Sequence, residues 1–270
     1  MRSFLALSLS LFTAASFAAT QTTVGTTESK APTATKRFAL DLFAVGHSSA
    51  FANMNGRRAT IDNSFGSPVT FTNQLTFSYK IFGDQALAVT PQIVFQPNQD
   101  QRVYLDRTYV GLQGPVFDTG KFSLWSRMET GVPSKNADFE SGYITGPQWI
   151  AVFSYKPASR LEFQYIFVPS VNFYSNGTTD SYVYMSPRVY YSLNDSLKLL
   201  GLWEVHFGSI ANKTALNVAS ARPSNLGAGV QYTLDNGNGI YFRPFVSIYP
   251  GSSNILETAH LGLHVGGPLL

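Results

Sequence analysis

Between Val69 and Ile81 the chain alternates between two kinds of side chain. Val69, Phe71, Leu75, Phe77, Tyr79 and Ile81 hold odd positions, while Thr70, Thr72, Gln74, Thr76, Ser78 and Lys80 hold even ones. Asn73 is the one break in the apolar set. Successive side chains of a strand point to opposite faces, so this period of two predicts a strand with one greasy and one wet face. A helix would scatter both sets around its circumference. Gly83-Asp84 then reads as a tight turn into Ala86–Gln96, where Leu87, Val89, Ile93 and Phe95 again share one parity.

The same reading predicts about twelve strands in all. They are Phe38–Gly46, Val69–Ile81, Ala86–Gln96, Arg102–Leu112, Lys121–Thr130, Gln148–Tyr155, Leu161–Val168, Ser181–Leu193, Leu197–Phe207, Asn225–Leu234, Ile240–Tyr249 and Ile255–Val265. Links after even-numbered strands are mostly short, as at Gly83-Asp84, Lys156–Arg160, Asn194–Ser196 and Asp235–Gly239. Links after several odd-numbered strands are long: His47–Pro68, Gly131–Pro147, Pro169–Asp180 and Gly208–Ser224. Short turns at one end and long loops at the other are the habit of barrels that cross an outer membrane. Three prolines, Pro91, Pro187 and Pro244, fall inside predicted strands and are expected at bulges or strand ends, because each removes a ladder hydrogen bond. In the fourth strand Arg102 and Asp106 oppose Arg107 in parity, which a bulge would reconcile.

Composition decides which face meets which solvent. Charged residues make up 13% of the chain, about half the globular average of roughly 25%, and there are 21 Phe and 14 Tyr. A soluble sandwich or lipocalin-like barrel would point the phenylalanines inward and need many more charges outside. In a membrane barrel the directions invert, with phenylalanine toward lipid and threonine toward the interior. Mean hydropathy is −0.01, and beyond the N-terminus no apolar run approaches the ~18 residues of a helical span. The expected class is therefore all-β: a transmembrane antiparallel up-and-down β-barrel of about twelve strands.

The N-terminus carries a positive Arg2, a short apolar run Phe4–Phe12 (FLALSLSLF) and small residues at Ser16 and Ala18. That three-part pattern predicts a cleaved signal peptide over residues 1–18 and export to a bacterial outer membrane. Thr20–Lys36 is rich in Thr and has no aromatic residue, so residues 19–36 read as a flexible periplasmic tail and 37–270 as the barrel. The chain has no Cys, which excludes disulfides, Cys-based metal sites and a lipid anchor on cysteine. A net charge of +3 without a concentrated basic face argues against nucleic-acid binding.

In this organisation the chain resembles bacterial outer-membrane β-barrel proteins of the porin-like kind, over nearly all of its length beyond the signal. Arg107–Gly114 (RTYVGLQG) is similar to the R-x-x-F/Y-V-G-L-x-G segments of general porins, through Arg107, Tyr109, Val110, Gly111, Leu112 and Gly114. General porins have more strands, so the resemblance implies a smaller barrel and passive diffusion of small hydrophilic solutes.

Charges on the polar faces should line the interior, because Arg or Lys facing lipid at mid-depth costs about 2–4 kcal/mol. The expected lining is Gln74, Lys80, Lys121, Arg127, Glu129, Glu162, Arg188, Lys198, Glu204, Arg243, His260 and His264. His206, His260 and His264 recur on the later strands; of these His260 and His264 share parity and could hold a metal only with a third partner such as Glu204 or Glu257, and they read instead as wet lining. No cofactor is expected. Trp125, Trp149 and Trp203 are expected in interfacial belts. Membrane lipids, lipopolysaccharide and small solutes are the expected partners; Arg57-Arg58 could contact lipopolysaccharide but read rather as a solvated loop pair. A non-conducting structural or adhesive barrel acting through its long loops is the alternative. No enzymatic role is expected: a lipid hydrolase would need a His–Ser pair, but His47 and Ser48 are adjacent and point to opposite faces.

Overall fold

The computed structural model describes residues 37–47, 70–96, 103–134, 136–209, 224–234, 239–250 and 259–270. Among them twelve strands form one closed antiparallel barrel. These are β1 (Phe38–His47), β2 (Thr70–Phe82), β3 (Gln85–Phe95), β4 (Val103–Asp118), β5 (Phe122–Val132) and β6 (Tyr143–Ala158). They continue as β7 (Leu161–Tyr174), β8 (Thr179–Ser192), β9 (Leu197–Ser209), β10 (Asn225–Thr233), β11 (Tyr241–Ile248) and β12 (His260–Pro268). One short helix, α1 (Asn136–Glu140), lies in the link between β5 and β6. Each strand pairs with its chain neighbours, and β1 closes on β12 through a register running from Asp41↔Pro268 to His47↔Gly262. Closure leaves no open edge, which is what a sheet requires where no water can satisfy its backbone groups.

The two faces are inverted relative to a soluble protein. On β2, Phe77 is 52% exposed on the outside while its neighbour Thr76 is 3% exposed on the inside. Leu87, Val89, Phe163, Tyr191, Leu199, Trp203, Leu226, Tyr232, Val246 and Leu261 repeat the exposed apolar position around the wall. Ser78, Thr90, Ser186 and Ser247 repeat the buried polar one. An apolar exterior around a hydrogen-bonded polar interior is the arrangement of a transmembrane β-barrel.

Of the three prolines expected at bulges or strand ends, Pro91 meets the expectation and Pro187 and Pro244 depart from it. Pro91 lies at a register shift, where Pro91↔Thr108 is followed by Ile93↔Leu105, so Asp106 and Arg107 together oppose Gln92. This is the bulge that the parity conflict in the fourth strand requires, and it turns Arg107 inward while Leu105 stays outside. Pro187 and Pro244 are in regular pairing, with Tyr165↔Pro187 and Pro244↔Leu263. Pro147 and Pro169 also stay inside strands, opposite Thr130 and Val183. Reading those two as strand ends makes β6 and β7 too short and the links around them too long. The link after β7 is in fact the four residues Ser175–Thr178, turned by Gly177 at φ 80°. Among the described residues the last strand runs from His260, and the predicted start at Ile255, with residues 255–258, lies outside them. So do the signal segment, the Thr-rich tail, Ser48, Arg57-Arg58 and Glu257.

Candidate functional site: the barrel interior

The interior wall from β8 to β12 is packed. Tyr190, Leu200, Leu202 and Phe245 form a buried cluster on its inner face. The Phe245 ring rests on Gly262, where an added Cβ would collide with it, so the glycine makes the close approach possible. Beside this cluster Glu204 accepts hydrogen bonds from the Tyr184 hydroxyl (2.7 Å) and the Asn225 amide (3.1 Å). Arg188 Nη2 lies 3.9 Å from Glu204 Oε1, and Arg188 Nε donates to Ser186 Oγ at 3.0 Å. Arg243 donates twice to Gln231 Oε1, at 2.8 and 3.2 Å, and its Nη1 lies 3.5 Å from His264 Nδ1. Its guanidinium is 4.7 Å from the Tyr241 ring centre and 5.4 Å from that of Tyr190. Buried charges cost little only when polar partners compensate them: Arg188 has the carboxylate of Glu204, whereas Arg243 is held by the neutral Gln231 and by two tyrosine rings.

The opposite stretch, β5 to β7, is built otherwise. Arg127 lies 3.7 Å from Glu129, reaches Thr76 Oγ1 of β2 at 3.5 Å and sits 5.4 Å from the Trp125 ring centre. The strands between β2 and β5 carry only Ala88 and Gly111 at one inner level, opposite each other, which leaves room for the crossing. Gln148 donates to Glu129 at 2.6 Å. Beyond this level Gln148, Ser170 and Asn172 are half-buried and border free space. That space is a polar cavity of about 320 Å³ lined by Arg107, Tyr109, Gly146, Gln148, Ser170, Asn172, Tyr174 and Tyr182. At its mouth Asp138 of α1 accepts from Arg107 Nη2 (3.2 Å) and Nε (3.4 Å). The Arg107 guanidinium stacks 4.0 Å above the Tyr143 ring, and Ser134 accepts from the Thr108 amide at 3.1 Å. The β5–β6 link is thereby held against the inner wall.

Each predicted lining residue has a definite place. Arg127, Glu129, Arg188, Glu204, Arg243, His260 and His264 have inward, largely buried side chains. Gln74 is half-buried on the β2 inner face, in register with Phe43 and Gln92. Glu162 and Lys198 pair at 3.6 Å toward the rim where the described chain begins and ends. Lys121 is a correction to the expected lining, whereas Lys80 keeps the inner parity of Thr76 and Ser78 at the rim. Lys80 reaches the turn residue Asp84 at 3.0 Å with both side chains well exposed, and Lys121 lies exposed in the β4–β5 turn. His264 contacts Phe43 and Phe245, His260 stacks on Tyr249 and His206 on Tyr184. Among the described residues no three metal-ligating side chains group together. Trp149 and Trp203 face outward, but Trp125 shares the inner parity of Arg127 and Glu129 and is no part of a belt.

Sequence reasoning missed Tyr184, Asn225, Asp138 and the inner tyrosines of the cavity. Their roles arise from cross-strand pairing between distant segments, for which a lone tyrosine or asparagine carries no local signal. The bulge opposite Pro91 was the one available hint that Arg107 turns inward.

Fold and interior together define a closed twelve-stranded transmembrane β-barrel, apolar outside and polar within. No family model matches the chain, and no curated protein does. Solved structures of similar fold include the NanC porin (11% identity, TM-score 0.46, covering 85% of this chain and 98% of that one). They also include OccAB3 of Acinetobacter baumannii (14%, 0.39, 87% and 65%) and OmpT of Vibrio cholerae, an outer membrane protein (10%, 0.37, 86% and 98%). The exclusion of enzymatic activity drawn from the sequence is corrected here. A barrel in itself speaks neither for nor against catalysis.

Proposed function

We propose that the protein is an outer-membrane channel for the passive diffusion of small hydrophilic solutes. The observation that carries this reading is the β5–β7 inner wall, where half-buried polar side chains border a cavity of about 320 Å³ beneath an apolar exterior. Twelve strands fall between the eight that give a filled interior and the sixteen or more that give a wide aqueous pore. Gln74, Arg127, Glu129, Glu162, Arg188, Glu204, Arg243, His260 and His264 form the polar lining. Because Glu129, Glu162 and Glu204 are each paired with a cation in the wall and Arg243 is held by Gln231, the channel is narrow and only weakly ion-selective. Residues 1–18 direct export and are removed, residues 19–36 stay periplasmic, and the long loops face outward toward lipopolysaccharide. Purified protein in planar lipid bilayers is expected to give discrete conductance steps. A sample that shows the gel shift of a folded barrel before and after boiling yet never conducts overturns the reading.

The packed β8–β12 wall favours a second reading, a non-conducting barrel that works through its loops. In that case deleting residues 48–67 or 210–223 abolishes binding to cells or lipopolysaccharide while the barrel still folds.

A further inference from the structure

We infer that the cavity between β4 and β8 is a binding subsite for an uncharged polyhydroxylated solute of about one sugar ring. The inference rests on the channel reading in one respect: the solute reaches the cavity along the barrel interior. A volume of about 320 Å³ stands at the low end of the ~300–1,000 Å³ typical of small-molecule sites, which sets the size.

Charge sets the class. Arg107 is the one cation in the lining, and it gives two N–H groups to Asp138 and its face to Tyr143. The nearby carboxylates are engaged too: Asp180 accepts from Tyr174 at 2.8 Å, and Glu129 accepts from Gln148 at 2.6 Å. A charged solute would shed its hydration without gaining a free counter-charge, a cost that an uncharged one avoids.

Hydrogen-bond direction sets the rest. Tyr174 donates to Asp180, so its phenolic oxygen offers lone pairs to the cavity. Gln148 keeps its carbonyl oxygen and one N–H, and Asn172 offers both functions. Each hydroxyl of a polyol both donates and accepts, and such a mixed wall satisfies it. The rings of Tyr109, Tyr174 and Tyr182 add flat apolar faces suited to the C–H surface of a pyranose. Space comes from Gly146: a Cβ there would collide with the Asn172 carboxamide oxygen and come within 2.6 Å of the Tyr143 hydroxyl.

The test is saturation-transfer NMR on the folded, detergent-solubilised full chain with D-glucose, D-glucuronate and D-glucosamine as probes. Glucose is expected to bind at least about tenfold more tightly than either charged analogue. Asn172→Leu should weaken glucose about tenfold, and Tyr182→Phe about threefold, as expected for losing one or two hydrogen bonds. Tyr182 is 42% exposed, so its variant keeps the test open if Asn172→Leu fails to fold. Glucuronate or glucosamine binding as well as glucose, no glucose binding by folded protein, or unchanged affinity in both variants overturns the inference. Bilayer conductance on the same preparation separates the two readings. Conductance without sugar discrimination removes the subsite alone, whereas selective binding without conductance supports the subsite and removes the channel.

Discussion

The inner wall of β8 to β12 and that of β5 to β7 belong to one closed sheet, yet they solve different problems. The first buries large side chains: Phe245 rests on Gly262, Leu202 covers Gly227, and Arg188 and Arg243 are each held by hydrogen bonds within the wall. The second uses Gly131 and Gly146 at neighbouring inner positions and leaves free space beside them. Inner glycines thus serve both ends. On the first wall apolar side chains, Phe245 and Leu202, enter the notches; on the second the entering atoms are polar, the Tyr143 hydroxyl and the Asn172 carboxamide, and the polar cavity lies beside them. A barrel of twelve strands can in this way be structural on one side and permissive on the other.

Breaking the packed wall should have the largest effect. Glu204→Leu strips Arg188, Tyr184 and Asn225 of their shared acceptor and leaves a buried charge unpaired, at about 3–5 kcal/mol. Adding Arg188→Met to it should recover part of that loss, as read by the urea midpoint of the gel-shifted folded form. Phe245→Ala opens a void over Gly262 and should cost about 3 kcal/mol or more by the same assay. On the permissive side Ile150→Ala, at a half-buried inner position, should cost well under half as much. Equal losses from Phe245→Ala and Ile150→Ala would erase the distinction between the walls.

Smaller effects sharpen it. Asp138→Asn removes the charge from a largely buried, doubly hydrogen-bonded pair and should cost about 1–3 kcal/mol, with faster proteolysis within residues 133–142 as the measurement. Asp84→Ala removes the exposed partner of Lys80 and should shift stability by less than about 0.5 kcal/mol.

The wall that faces lipid was far more legible in the sequence than the wall that faces inward. Alternation alone placed Phe71, Leu75, Phe77 and Tyr79 outside and located β2 to within a residue, because a period of two carries facing directly. The same signal failed at β9, where Leu199 and Leu200 are adjacent. One meets lipid and the other packs inside against Tyr190 and Phe245, so hydrophobicity does not tell the faces apart. Proline misled through strand length, since Pro147 and Pro169 stay within paired strands. Trp125 misled through composition, because an indole under Arg127 inside a barrel reads like a belt residue. Asp138 meets Arg107 across 31 positions of sequence, a separation at which no local pattern could announce the contact.

The absence of cysteine permits a direct test of the inverted faces and of a wet interior. Single Cys replacements at Phe77 and Leu261, outside, and at Gln148 and Asn172, beside the cavity, would be labelled in proteoliposomes with a charged, membrane-impermeant thiol reagent. The account predicts rapid labelling at Gln148 and Asn172, with reduced conductance, and none at Phe77 or Leu261 until a lipid-soluble reagent is used. Labelling of Phe77→Cys from water while Gln148→Cys and Asn172→Cys stay protected would contradict it.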